Sequence, residues 1–272
     1  MKRKPDQYWD LSVNPAKGCK PISPGCAHCY AERIAWRMAH NPSLPDRTRA
    51  LYYSVAAGGR WTGRAVWDYA VILHAIDRLW KSRKSRVVFV SDMADLFHED
   101  ITDAQIWKAL TLPYIYPRHT FLYLTKRASR MRSLLADEWW DGWTDGWKIA
   151  SNHGSPPPNA YFGVTCCTQE EADRNIPLLL QCNAANIWIS LEPMLSEIMI
   201  PEYQLRHLSW VVLGGETGPG ARPMHPDWAR SVRNQCAAAG VPFFLKQWGY
   251  WQFGSEEGKA TRVVYNDGRS AE

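Results

Sequence analysis

Residues 86–97 read RVVFVSDMADLF: four consecutive apolar residues, three of them valine, run straight into Ser91 and Asp92. A short unbroken apolar run rich in β-branched residues is the signature of a strand buried on both faces, as in a parallel sheet. The same figure recurs along the chain, as TFLYLTKR (120–127), AYFGVTCC (160–167), NIWISLEP (186–193), LSWVVLGGETG (208–218) and VPFFLKQWG (241–249). Between these runs lie DAQIWKALTLP (103–113), TQEEADRNIPLLLQC (168–182) and HPDWARSVRNQCAAAG (225–240), each helical in pattern. Thr168 followed three residues later by Glu171 is a capping-box signature, and Gly240 is a helix stop. Strands alternating with helices indicate βαβ units. With a short strand ahead of residue 19, the expectation is an α/β fold: a partial (β/α) barrel of six or seven parallel strands.

Two segments interrupt the rhythm. Residues 41–66 are turn-rich and are expected to lengthen the first crossover. Residues 138–159 combine Trp, Gly and three consecutive prolines and are expected to form a surface insertion. With a C-terminal tail at about 250–272, the chain is expected to be a single domain over 1–272. No run of about 18 apolar residues exists, so no membrane span is expected. The basic N-terminus has no apolar stretch behind it, which argues against a secretory signal. A net charge of +5 permits contact with a polyanion without demanding it.

In (β/α) barrels the chemistry gathers where strands end. The strand ends here deliver Ser91 and Asp92; Thr125, Lys126 and Arg127; Thr165, Cys166 and Cys167; Ser190 and Glu192; Gly214, Gly215 and Glu216; and Lys246, Gln247 and Trp248. Glycines at 214 and 215 let backbone approach a ligand closely. Lys246 could pair with an anionic ligand, or with Glu192 or Glu216. Cys166 and Cys167, read as strand neighbours, would point to opposite faces, while Cys182 and Cys236 sit in apolar helical surroundings.

Three of the seven cysteines, Cys19, Cys26 and Cys29, fall within NPAKGCKPISPGCAHCYAER (14–33), spaced C-x6-C-x2-C. An odd count with tight clustering points to metal or redox chemistry in a cytoplasmic protein rather than to a disulfide framework. A structural zinc site needs a fourth ligand, for which His40 is available. The other reading is an iron–sulfur cluster on three thiolates, with one iron open. Iron–sulfur clusters normally have four cysteines, and a three-cysteine site leaves a position for a cofactor, the arrangement that radical S-adenosylmethionine enzymes use.

With SDMADLF, LTKR, SLEP, GGETG and FFLKQWG, this stretch resembles the radical-S-adenosylmethionine-like three-cysteine-motif family of phages and bacteria, from residue 8 to about 249. The resemblance implies a [4Fe-4S] cluster on Cys19, Cys26 and Cys29, with S-adenosyl-L-methionine on the open iron. Tyr30, Ser91, Asp92, Thr125, Ser190, Glu192 and Gly214 are then candidates to hold the cofactor, and Lys126, Glu216 and Lys246 to face the substrate. It also implies an electron donor and a substrate such as a modified nucleobase or nucleotide in phage DNA. Basic stretches at 81–86 and 126–132 and the Trp-rich insertion are candidates for phosphate contact and stacking, or for plain solvated faces. A zinc-containing nucleic-acid-binding module, or radical chemistry on a peptide or metabolite, are the alternatives.

Overall fold

A computed structural model describes residues 7–135 and 156–249, and the backbone of 251–253 and 260–262. The expected Trp-rich insertion lies outside the described residues apart from 156–159, as does most of the tail. Among the described residues, seven strands form the principal sheet. They are β1 (Leu11–Val13), β2 (Val87–Val90), β3 (Thr120–Thr125), β4 (Ala160–Thr165), β5 (Asn186–Leu191), β6 (Trp210–Gly214) and β7 (Phe243–Gln247). Their order in the sheet is their order in the chain, with β1 and β7 at the edges. β1 with β2, β2 with β3, β5 with β6 and β6 with β7 all pair parallel. A doubly wound sheet reverses its strand order part-way. Strict chain order with open edges is instead the topology of a partial (β/α) barrel, as the apolar runs imply.

Helices fill the crossovers: α1 (Tyr30–Ala39), α2 (Asp46–Val55) and α3 (Tyr69–Trp80) between β1 and β2, then α4 (Asp103–Leu110) and α5 (Leu112–Ile115) before β3. They are followed by α6 (Ala128–Leu134), α7 (Gln169–Leu179), α8 (Glu202–Leu205) and α9 (Pro226–Ala239). α4 carries a complete capping box, Thr102 accepting from the Gln105 N–H while the Gln105 side chain accepts from the Thr102 N–H. At α7 only half of the expected box forms. Thr168 accepts from the Glu171 N–H, but the Glu171 carboxylate accepts from the N–H of Cys167, one residue outside the cap. α9 ends at Gly240 with φ of 71°, the left-handed stop expected there.

Residues 41–66 hold more order than their turn-rich composition implies. They contain α2, which buries Tyr52 and Val55, and a hairpin pairing Ala56–Ala57 with Arg60–Trp61. Gly58 and Gly59, with φ of 56° and 78°, supply the left-handed turn that a two-residue hairpin loop demands. Val66–Trp67 then pairs with Ala16–Lys17. The Pro and Gly of this segment punctuate elements too short to show a period of their own.

The chain divides into two compact units: Met1–Ile22 with Ala31–Gly163 and Gln181–Asn186, and Ser23–Tyr30 with Val164–Leu180 and Ile187–Glu272. The first holds β1 to β3 and the start of β4. Its core includes Phe89, Phe97, Ile106, Leu110 and Phe121, and Tyr123 stacks on Phe162 with centroids 5.0 Å apart. The Tyr123 hydroxyl, wholly buried, donates to the Ala109 carbonyl at 2.8 Å. In the second unit Val211, Val212, Leu213, Val232 and Cys236 are buried, with Trp188 packed on Trp210 at 5.1 Å. Cys182, in the connection after α7 and part of the first unit, is half-buried rather than core.

Candidate cofactor and substrate site at the strand ends

In the first unit, the parallel pairing of β2 with β3 brings their C-terminal ends to one edge. Ser91, directly after β2, is the one non-glycine residue at positive φ (65°) among the described residues. Its N–H donates to Val13 of β1 at 2.8 Å, while its buried hydroxyl has no hydrogen-bond partner among the described residues. Left-handed backbone at a residue with a Cβ, beside an orphaned polar atom, is the kind of strain that functional sites retain. Asp92 accepts from the Ser12 hydroxyl at 2.5 Å, and Ser12 in turn accepts from the Trp9 indole.

Asp95 is the hub of this edge. Its carboxylate accepts from Thr125 Oγ1 at 2.7 Å, from the Lys126 N–H at 3.1 Å and from Arg127 at 3.0 Å. Arg127 also donates to Glu99 (3.1 Å), to the Lys20 carbonyl (3.2 Å) and to Cys19 Sγ (3.8 Å). Gly18 makes a parallel bridge to Ala94, which ties the residue before Cys19 to the segment after β2. A Cβ at Gly18 would lie 2.3 Å from the Arg64 carbonyl, so only glycine fits that approach.

In the second unit, Ser23 caps a single 3-10 turn, Pro24–Cys26. Gly25 faces Cys167, whose Sγ would stand 2.2 Å from a Cβ at residue 25. Cys166 and Cys167 are both buried, and they follow β4 instead of alternating along it. Glu216, beyond β6, accepts from Arg222 through Nε (2.9 Å), Nη2 (2.5 Å) and the backbone N–H (2.8 Å), and His28 Nδ1 stands 2.9 Å from the same carboxylate. Arg222 also donates to the Pro24 carbonyl at 3.0 Å. Glu192 and Lys246 form an ion pair at 2.6 Å, with Gly214 close against the Glu192 carboxylate. The buried Ser190 hydroxyl has no partner among the described residues. Tyr30, at the start of α1, is exposed.

The family model described as "Protein of unknown function (DUF5131)" matches residues 6–271. The chain belongs to that DUF5131 family. No curated relative matches it in sequence. Among solved structures it is similar to two single-residue variants of spore photoproduct lyase. One is 10% identical with a TM-score of 0.48 and the other 9% identical with a TM-score of 0.49, each over 86% of this chain and 75% of that one. Spore photoproduct lyase complexed with dinucleoside spore photoproduct is 10% identical, with a TM-score of 0.46, over 94% of this chain and 68% of that one.

In this DUF5131 chain the electrostatics follow the pairing. Burial alone would raise the Glu216 carboxyl; hydrogen bonds from Arg222 and His28 outweigh it and hold the group down at about 2. Burial also works against the charge on Arg127, and Asp95 followed by Cys19 outweighs it, so the guanidinium holds its proton more tightly than usual. Burial pushes Cys182 up to about 12 and Cys236 to about 11, so neither is a thiolate at neutral pH.

Every residue expected at a strand end stands at one, but their engagements differ. Ser91 and Ser190 present unsatisfied hydroxyls, whereas the Thr125 hydroxyl is occupied by Asp95 and by the Arg127 N–H. Lys246 pairs with Glu192, one of the two partners its position suggested. Asp95 and Arg222 were not singled out from the sequence, and Arg127 was read only as one of three polar residues at a strand end. The signal was present in SDMAD, in the arginine after LTK and in the arginine six residues beyond Glu216, but nothing local says which carboxylate each arginine reaches.

In the basic stretch 126–132 two of the three arginines are engaged within the fold, while Arg132 is exposed. Arg127 is committed as described, and Arg130 donates to the carbonyls of Phe97, His98 and Ile101 and to Asp103. In 81–86, Lys81, Arg83 and Lys84 are exposed, at the end of β2 opposite Ser91. His40, the histidine available to a zinc reading, bonds the Trp36 carbonyl at 2.8 Å and packs against Trp36 and Tyr53. None of Cys19, Cys26 and Cys29 is in a disulfide, and all are half-exposed. Cys19 belongs to the first unit, Cys26 and Cys29 to the second. Among the described residues no group of three or more His, Cys, Asp or Glu is gathered as a bound metal ion requires.

Proposed function

We propose that this protein is a radical S-adenosylmethionine enzyme of the three-cysteine-motif type, with Cys19, Cys26 and Cys29 as ligands of a [4Fe-4S] cluster. The observation that carries the reading is a buried hydroxyl without a partner among the described residues in each unit, Ser91 in the first and Ser190 in the second, each near a strand end, with a cysteine segment that follows the first strand. Buried polar atoms without partners are rare and call for an absent group. The donor set suits the cluster: three half-exposed thiols outside disulfides, one beside a guanidinium, with both nearby histidines engaged elsewhere.

Cys19, Cys26 and Cys29 would hold the cluster, and with S-adenosyl-L-methionine bound it would supply radical hydrogen abstraction from a substrate carbon. The chain's own residues bind and orient. Ser91, Asp92, Ser190 and Glu192 are proposed to hold the amino acid and ribose portions of the cofactor, with Thr125 and Gly214 lining its place and Tyr30 beside the cysteine segment. Lys126 and Lys246 are proposed to face the substrate; Glu216 stands at the same strand ends with its carboxylate already engaged. The cluster would take its electron from an external donor. A nucleobase in DNA is the proposed substrate, supported by the net charge of +5 and by the family resemblance. A base in a duplex must be flipped out to reach such a site.

The test is anaerobic purification with metal analysis. About four irons per chain, and 5′-deoxyadenosine released on reduction with S-adenosyl-L-methionine, are the expected results. A colourless protein with one zinc overturns the proposal. Gel-shift titration across salt concentrations tests the substrate class, and absence of salt-dependent DNA binding removes DNA from it.

A further inference from the structure

We infer that two arginine–carboxylate pairs, Asp95–Arg127 and Glu216–Arg222, are the positioning groups of the cysteine segment, each holding one end of the gap between Cys19 and Cys26. The inference rests on the proposed role of the cysteines as cluster ligands.

Residues 19–22 belong to no helix or strand. An irregular segment must find partners for its backbone carbonyls outside regular structure. Here Arg127 supplies one, and Arg222 adds a second partner at the start of the 3-10 turn that follows, where the Pro24 carbonyl also accepts from the Ala27 N–H at 3.3 Å. Arg127 Nη2 donates to the carbonyl of Lys20, the residue after Cys19. Arg222 Nη2 donates to the carbonyl of Pro24, two residues before Cys26. Each guanidinium is aimed by a carboxylate that is itself buried, with side-chain exposures of 8% for Asp95 and 4% for Glu216. A planar guanidinium has donors enough to bind a carboxylate and a carbonyl together, which an ammonium on a flexible stem does far less well.

Each pair also reaches a cysteine or its neighbour. Arg127 Nη1 donates to Cys19 Sγ at 3.8 Å. Glu216 takes Nδ1 of His28, the residue before Cys29, at 2.9 Å, and Gly220 leaves room for that ring, since a Cβ there would come within 3.3 Å of its Nε2. Glu216 is therefore a positioning residue and not a group that faces the substrate. Arg127 has a second consequence: an N–H and a positive charge on a ligand sulfur favour the more electron-rich, reduced state of a cluster.

Five variants of the full chain test this: Arg127→Gln, Arg127→Lys, Arg222→Gln, Arg222→Lys and Glu216→Gln. Each is reconstituted anaerobically with iron and sulfide beside the wild type. The readouts are iron per chain, the electron paramagnetic resonance spectrum of the reduced cluster, its reduction midpoint, and circular dichroism for folding. Arg222→Gln and Glu216→Gln are expected to fold but to keep less than about half of the wild-type iron, because their end of the segment is no longer held. Arg127→Gln is expected to bind iron with an altered spectrum and a more negative midpoint. The expected size is a roughly tenfold lower ratio of reduced to oxidised cluster at fixed poise, about 59 mV for a one-electron couple. Arg127→Lys keeps the charge and is expected to recover part of that shift.

Wild-type iron, spectrum and midpoint in all the glutamine variants overturn the inference. If an arginine-to-glutamine variant does not fold, its lysine counterpart decides, and if Glu216→Gln does not fold, the Arg222 variants decide for that pair: wild-type values there overturn the inference, and reduced iron or a shifted spectrum supports it. A wild-type chain that takes up no cluster overturns the proposed function and this inference together, whereas a loaded wild type with indistinguishable variants overturns this inference alone.

Discussion

Replacing Glu216 by Gln removes one charge from the second unit and keeps the shape of the side chain. The carboxyl is held at about 2 against an ordinary 4.5, so its ionised form is favoured in the folded state by about 3 kcal/mol. The group is almost wholly buried, so solvent screening takes little from that figure. The sign follows from the direction of the shift: a depressed carboxyl stabilises the fold fully above 4.5 and loses that contribution as the pH falls toward 2. At pH 3 about 2 kcal/mol of it is gone. Urea denaturation of the apoprotein followed by circular dichroism, at pH 7 and pH 3, measures the effect. The wild type is expected to exceed Glu216→Gln by about 3 kcal/mol at pH 7 and by only about 1 kcal/mol at pH 3. A difference below about 0.5 kcal/mol at pH 7, or one unchanged at pH 3, refutes the assignment of Glu216 as a charged, arginine-held group.

Three further outcomes are expected. Gly25→Ala drives a methyl into Cys167 Sγ and should cost about 1–3 kcal/mol of stability. Cys167→Ala in the same chain should recover part of it, and simple additivity in the double-mutant cycle would exclude the contact. Thr102→Ala breaks the capping box of α4 and should cost about 1 kcal/mol in urea denaturation, while Thr102→Ser should cost much less. Trp188→Ala empties a fully buried position against Trp210 and should lower stability by about 3–5 kcal/mol, a loss that a thermal melt would register as several degrees.

Six of the seven strands of the principal sheet were legible because each is an apolar run with an abrupt polar end, and burial on both faces writes that pattern directly into residues such as Val87–Val90 and Ile187–Leu191; β1, three residues with a serine in the middle, shows no such run and was expected only from its place ahead of residue 19. The helices α7 and α9 were legible through a cap and a stop, and α4 only through its helical pattern; its capping box came from the structure. The hairpin at 56–61 was not, because two-residue strands carry no period, and Gly58–Gly59 reads as a loop until its flanks are seen to pair.

The candidate site divides along the same line. By itself, the sequence determined which residues stand at strand ends, and that three cysteines share one segment, because both follow from position along the chain. The tertiary structure alone decided how those residues are engaged. Arg127 turns to Asp95 and to the segment after Cys19, Arg222 turns back to Glu216, and His28 leaves its cysteine neighbours for the same carboxylate. A long charged side chain can reach any of several partners within its span, and its choice depends on which buried carboxylate the fold sets nearby. That choice separates Ser91 and Ser190, left with unsatisfied hydroxyls, from Glu216, whose chemistry is already spoken for by the frame around the cysteines.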